Sequence, residues 1–345
     1  MRTLFAAAGG GLDQTGPGTV ETFWHEDGGL HRAASLEVPA ASFLAWHPNG
    51  RTLYAVNELA EGMVSQLEVD ADGNLELVAQ IGTGGDGPCH LAIGPAARCL
   101  FIANYGDGVV SSIRLRKSGD LDECVSTVQP HGSGPIKDRQ AGPHAHMAVP
   151  TGTGLLAVVD LGTDTVRTYE VSDQGVLTLL SLWPVPPGTG PRQLVLFPSD
   201  PPPRIGHYSR TVIVGELNSM LLLIRGHQDG IRILDRQRTT VAPTGGPNFP
   251  AQVEITEDGT TVYVSNRGAD VVTQFAVEGD TLRPIADYPC GGEWPRHFCT
   301  AGEYMYVANQ KSNRIAVLRI DRHTGALTET DLSYDLGGPA CVVPR

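Results

Sequence analysis

An apolar run closed by Asn returns along this chain about every fifty residues. It reads Leu53-Tyr54-Ala55-Val56-Asn57, Leu100-Phe101-Ile102-Ala103-Asn104, Val262-Tyr263-Val264-Ser265-Asn266 and Met305-Tyr306-Val307-Ala308-Asn309. Weaker copies stand at Leu156-Ala157-Val158-Val159-Asp160 and Val212-Ile213-Val214-Gly215-Glu216. The closing positions 57, 104, 160, 216, 266 and 309 lie 47, 56, 56, 50 and 43 residues apart. A unit of this size made of short strands cannot bury its apolar face alone, so strand repeats with a period of ~40–50 residues stack radially. The pattern predicts an all-β fold, a seven-bladed β-propeller with four antiparallel strands per blade.

The seventh blade is expected from the two ends of the chain. A Pro-led short strand precedes most copies: Pro88-Cys89-His90-Leu91, Pro143-His144-Ala145-His146, Pro191-Arg192-Gln193-Leu194, Pro250-Ala251-Gln252-Val253 and Pro295-Arg296-His297-Phe298. The C-terminus stops after the same opening, Pro339-Ala340-Cys341-Val342-Val343, and the N-terminus starts with its sequel, Arg2-Thr3-Leu4-Phe5-Ala6-Ala7-Ala8-Gly9. Pairing these two segments closes the ring and leaves no open edge between first and last blades.

Such a ring is cooperative, so residues 1–345 are expected to form one domain and to need no partner, with monomer as the default. The 42 Gly and 25 Pro supply turns for many hairpins. A formal net charge of −13 argues against nucleic acid and against an anionic membrane surface as partners. No apolar run is long enough for a membrane helix, and Leu4–Ala8 is too short and too weakly basic for a secretory signal. Cysteines 89, 99, 124, 290, 299 and 341 lack metal-type spacing and read as buried free thiols of a reducing cytoplasm.

The hairpin between the first two strands of a blade is marked by turn residues, as in His47-Pro48-Asn49-Gly50, Gly94-Pro95-Ala96-Ala97, Thr151-Gly152-Thr153-Gly154 and Glu257-Asp258-Gly259. His47 is read as part of such a turn. If these turns lie on one face, strand-one starts and strand-two ends converge on the other, around the mouth of the central channel. From the starts come His90, His144, His146, Arg192, Gln252, Arg296 and His297; from the ends come Glu58, Asn104, Asp160, Glu216, Arg267 and Asn309. An acidic protein that aims Arg and His at one opening is suited to bind an anion there, guanidinium giving forked hydrogen bonds to carboxylate or phosphate.

Asn57, Asn104, Asn266, Asn309 and Asp160 can equally cap the turn that follows them. Arg192, Arg267 and Glu216 interrupt apolar strand ends and read as functional. Strand alternation puts His144 and His146 on one side, so both can face the channel. The segment 130–142, carrying Lys137, Arg139 and Gln140, is long enough to cover the mouth, or is an ordinary loop. The insertion from Pro201-Pro202-Pro203 to Arg210 is expected on the opposite face.

The wording of these segments resembles the 6-phosphogluconolactonase/carboxymuconate-cyclase lactonase family of seven-bladed propellers. The resemblance is carried in order by His47-Pro48-Asn49-Gly50 with Tyr54-Ala55-Val56-Asn57-Glu58, Arg139-Gln140 with Pro143-His144-Ala145-His146, and Gly190-Pro191-Arg192. It continues through Gly215-Glu216-Leu217, Asn266-Arg267-Gly268 and Pro295-Arg296-His297-Phe298. It implies a metal-independent site of one His, two Arg and a Glu: His146 (or His144), Arg192, Glu216 and Arg267. The chain departs from the family wording at Gln193, where His is common, at Gly215, where Asn is common, and at Ala7-Ala8-Gly9-Gly10.

The implied activity is hydrolysis of a sugar lactone, most concretely 6-phospho-D-glucono-1,5-lactone of the pentose phosphate pathway. Glu216 or His146 would activate water, Arg192 and Arg267 would hold the oxyanion, and Arg296, Arg139 or Lys137 would hold the phosphate. His90, His144 and Gln252 complete the expected substrate-binding set. Flanking arginines weaken Glu216 as a base, and no Gly-x-Ser-x-Gly elbow points to a serine nucleophile. No metal or other cofactor is expected, because arginines at the mouth repel a cation. The alternatives are cyclisation of a carboxylated muconate, and a non-catalytic propeller that binds a ligand or protein on its upper face.

Overall fold

A computed structural model describes residues 3–10, 17–26, 29–151, 154–198, 210–227 and 230–345. It consists of seven four-stranded antiparallel sheets arranged as blades. In six of them the four strands follow one another in sequence. In the other, which we number blade 1, Cys341–Pro344 pairs with Thr3–Gly9, followed by Thr19–Glu26 and Gly29–Glu37. The ring is therefore closed by both ends of the chain, with Ala8 opposite Cys341 and Phe5 opposite Pro344.

The inner strands of blades 2 to 7 are Ala41–Trp46, Pro88–Ile93, Ala145–Pro150, Pro191–Leu196, Phe249–Ile255 and Pro295–Ala301. The second strands are Thr52–Asn57, Cys99–Asn104, Leu155–Asp160, Arg210–Gly215, Thr261–Arg267 and Tyr304–Asn309. Thr52–Asn57 and Cys99–Asn104 are buried along their whole length, because each second strand packs against neighbouring blades on both faces. Burial on both sides is why the repeat reads as an unbroken apolar run and not as an alternation. Outer strands such as Gly230–Arg238 and Leu327–Asp335 are half-buried to exposed and carry the polar residues. The inter-blade core holds Tyr54, Tyr263, Tyr306, Phe5, Phe23 and Phe275 essentially without solvent contact.

The weak copy of the repeat is offset by one residue from its sequence reading. Gly215 pairs with Pro191 as Asn57 pairs with Ala41, so Gly215 is the strand end and Glu216 follows it, as Glu58 follows Asn57. The strand-end Asn and Asp side chains are caps. Asn57 Nδ2 donates to Pro39 O at 2.7 Å, and Asn104 Nδ2 to Val109 O at 2.9 Å. Asp160 Oδ1 accepts from the amides of His144 and Gly162 at 2.8 and 3.0 Å. All six cysteines are free, and all but the half-buried Cys124 are buried. His47 stays in its turn, Nδ1 accepting from Asn49 N at 3.2 Å. The insertion at 201–209 and turn residues 152–153 lie outside the described residues. No described helix is long and apolar enough to cross a membrane.

Candidate active site

Two rings of equivalent positions build the mouth of the channel. The first comes from a β-bulge in the inner strand. Pairing with the second strand skips one residue between Ala41 and Phe43, Pro88 and His90, Ala145 and Met147, Pro191 and Gln193, and Pro295 and His297. The skipped residues are Ser42, Cys89, His146, Arg192 and Arg296; blade 6 skips Ala251 and Gln252. A bulge re-aims the extra side chain out of the ladder, and all five of the single-residue bulges line one pocket of about 290 Å³. The second ring is the residue after the strand-end position held by Asn57 and its equivalents: Glu58, Tyr105, Leu161, Glu216, Arg267 and Gln310. Its backbone is fixed alike in most blades, with Glu58 N, Tyr105 N, Leu161 N and Glu216 N bonded to the carbonyls of Ala40, Gly87, His144 and Gly190 at 2.8–2.9 Å.

Glu216 is the centre of the cluster. Arg139 Nη2 donates to its Oε1 at 2.7 Å, Arg267 Nη2 donates to its Oε2 at 2.7 Å, and Arg192 Nε contacts Oε2 at 2.9 Å. The arginines are themselves anchored: Arg192 Nη1 on Ala251 O at 3.0 Å, Arg267 Nε on Phe249 O at 2.9 Å, and Arg139 Nη2 on the Tyr105 hydroxyl at 3.2 Å. Across the mouth Arg296 pairs with Glu58 at 3.5 Å. Four guanidiniums thus share two carboxylates, an excess of positive charge suited to an anionic ligand.

Burial acts to raise the Glu216 carboxyl, but Arg267, Arg192, His146 and Arg139 overcome it and hold the group far below the ordinary carboxylate range. Burial pushes Arg192 down, with Arg267 adding to it, to about 9, which still leaves it protonated at neutral pH. Burial and then Arg192 drive the His146 imidazole well below its usual value, so it is neutral. Its ring meets Tyr105 edge-on at 5.6 Å and carries no protein hydrogen bond among the described residues.

The expected site residues divide in two. His146, Arg192, Glu216, Arg267 and Arg139 come together, and Arg296 faces them from blade 7. Lys137 is exposed on the segment that carries Arg139, and Gln140, fully buried, ties that segment to Leu161 O at 2.8 Å. His144 stacks on Tyr105 at 4.7 Å and bonds to its carbonyl through Nδ1 at 2.6 Å, so it supports the site from behind. His90 lines the pocket but uses Nδ1 to receive Ala148 N of the next blade at 3.4 Å. Gln252 accepts from Gln193 Nε2 at 2.6 Å, and Gln193 in turn receives Val253 N at 2.9 Å. His90 and Gln193 are staples between blades. Ser42, Cys89 and Tyr105 have no signal in the sequence, because a bulge is a property of strand pairing. An apolar crevice of about 490 Å³ opens between blades 4 and 5, around Leu155, Trp183 and Ile224, and carries no titratable side chain.

A family description, lactonase with a seven-bladed β-propeller, matches residues 10–344. The chain belongs to the seven-bladed β-propeller lactonases. Among curated relatives, the 6-phosphogluconolactonase of Bacillus subtilis is 27% identical over 320 residues, covering 90% of this chain and 88% of the relative. An uncharacterised protein of Lactococcus lactis is 28% identical over 321 residues, covering 91% of this chain and 90% of its own. Among solved structures, a periplasmic gluconolactonase of Pseudomonas aeruginosa superposes with a TM-score of 0.88 at 25% identity, covering 100% of this chain and 99% of its own. A Lactobacillus plantarum protein gives 0.89 at 26% identity over the full length of both chains. This lactonase-family chain thus has relatives whose names include both a phosphorylated and an unphosphorylated sugar lactone.

Proposed function

We propose that this protein hydrolyses the lactone of an aldonic acid, with 6-phospho-D-glucono-1,5-lactone as the preferred substrate. The observation that carries the reading is a neutral His146 within the electrostatic influence of a Glu216 that is held by Arg139, Arg192 and Arg267. The names of the Bacillus subtilis and Pseudomonas aeruginosa relatives support it.

Glu216 is too strongly held by arginines to take a proton, so His146 is the better base. Water attacks the lactone carbonyl carbon while His146 accepts its proton. The imidazolium that forms is stabilised by the Glu216 carboxylate, and the oxyanion by Arg192 and Arg267. Collapse breaks the ring C–O bond, and the imidazolium returns its proton to the departing alkoxide, giving the open hydroxy acid. Arg296, with Arg139 on the covering segment, supplies charge for the phosphate.

The reading is tested by initial rates on freshly generated phosphorylated and unphosphorylated gluconolactone. Preference for the phosphorylated lactone supports the assignment of Arg296 and Arg139; preference for the unphosphorylated one removes it and leaves the hydrolytic chemistry.

A further inference from the structure

The residue whose carbonyl receives the amide of the second-ring residue takes a left-handed conformation in four blades. In blades 3 and 5 it is glycine, Gly87 at φ 58° and Gly190 at φ 56°, and in blade 2 it is Ala40 at φ 48°. In blade 7 it is Trp294 at φ 63°, its carbonyl accepting from Gln310 N at 3.1 Å. A bulky side chain is strained in that region, whereas glycine is not. Strain of this kind persists where the side chain serves the site.

The Trp294 indole lies at the rim of the arginine cluster. The Arg267 guanidinium is 5.5 Å from the ring centroid, and Phe249 packs against it at 6.0 Å. Asp270 Oδ1 holds the Trp294 amide at 2.8 Å. Lys311 Nζ sits over the ring at 3.5 Å, and Lys311 is a solvent-exposed side chain that can leave at little cost. The indole is therefore half-buried and fixed by its neighbours, with the Arg267 guanidinium and the displaceable Lys311 ammonium over its ring.

We propose that Trp294 is the platform on which the pyranose ring of the substrate lies, with Lys311 holding that ring face until the sugar displaces it. The C–H bonds on the apolar face of a sugar carry partial positive charge, which suits the negative face of an indole as a cation does. Arg267, on the same indole, places the lactone carbonyl next to its oxyanion donor. The platform thus specifies a cyclic carbohydrate and not an acyclic dicarboxylate. This rests on the lactonase reading given above.

The test combines kinetics, melting and fluorescence on the full chain. Trp294→Gly is expected to raise KM for gluconolactone about tenfold with kcat changed less than about threefold, and Trp294→Phe to restore most of the loss. Glycine relieves the left-handed backbone strain and so offsets part of the lost indole contacts, and Trp294→Gly should still melt cooperatively. D-Glucono-1,5-lactam, a ring that resists hydrolysis, should change tryptophan fluorescence saturably, and the change should vanish in Trp294→Phe. A fall in kcat at unchanged KM, or a fluorescence change that survives in Trp294→Phe, overturns the platform and leaves Trp294 as a brace for Arg267. Lactam binding through Trp294 without turnover of any lactone would sustain the platform and remove the lactonase reading instead.

Discussion

Arg267 Nη2 donates to Glu216 Oε2 at 2.7 Å, and the two residues hold the same position in adjacent blades, directly after Asn266 and Gly215 at the equivalent strand position. An ion pair between neighbours in the second ring is thus a product of the repeat itself. What makes it a site is that Arg192 from the bulge ring and Arg139 from a covering segment share the same carboxylate.

Removing that carboxylate leaves three guanidiniums with no common counter-ion. Glu216→Gln should lower kcat/KM by at least about a hundredfold, because the imidazolium at His146 loses its stabilising charge. It should also reduce stability by about 3 kcal/mol, the scale of breaking one partner out of a buried pair. Steady-state rates and urea unfolding check both; an unchanged rate would remove Glu216 from the chemistry.

The pH profile should be flat through neutrality. Burial and Arg192 lower the His146 imidazole, so the base is already deprotonated at pH 6.5, and kcat/KM should fall only on strong acidification. On the alkaline side Arg192 keeps its proton beside the Glu216 carboxylate, so no decline from the guanidinium is expected after correction for spontaneous hydrolysis. An acid limb centred at or above pH 6.5 would assign the proton to a different group.

Acid should also weaken the fold. Burial, followed by His297 and Arg192, lowers His90 to about 3; burial and then Arg192 and Arg296 do the same for His297. The unfolded chain takes up protons at these imidazoles near pH 6.5, whereas the folded ring refuses them until about pH 3, so stability is lost progressively as pH falls through that window. His297→Gln should flatten the decline in melting temperature between pH 6.5 and 4. An unaltered slope would show that His297 is charged in the fold or accessible to water.

Caps should matter to stability alone. Asn57 is fully buried, donating to Pro39 O at 2.7 Å and accepting from Ser65 Oγ at 2.8 Å. Asn57→Ala leaves both partners unsatisfied and should cost about 2 kcal/mol with kcat/KM within about twofold. Loss of activity at unchanged stability would show that the cap ring reaches the substrate.

The fold was readable because its second strands are buried on both faces, which writes an unbroken apolar run in successive blades and closes four of them with Asn. The cap also pointed to the second ring, so Glu58, Glu216 and Arg267 stood out directly after or at strand ends. The bulge ring was only half visible. Arg192 and His146 attracted notice as charged or titratable types, but Ser42 and Cys89 occupy the same position with ordinary side chains. Gln252 looked equivalent to these and is bonded to Gln193, because blade 6 skips two residues where its neighbours skip one. Tyr105, which supports both Arg139 and His144, is reached only through folding. Trp294 carries no signal at all until its backbone angle is known.

Hydrolysis of a sugar lactone by His146 and Glu216 acting together can be read from one set of rates. The most direct measurement is the initial rate on freshly generated 6-phospho-D-glucono-1,5-lactone, with chelator present, for the parent protein, His146→Ala and Glu216→Gln. If His146 and Glu216 act together, parent turnover is well above the spontaneous rate and is almost lost in both folded variants. Full turnover in both variants, or none in the parent, would contradict it.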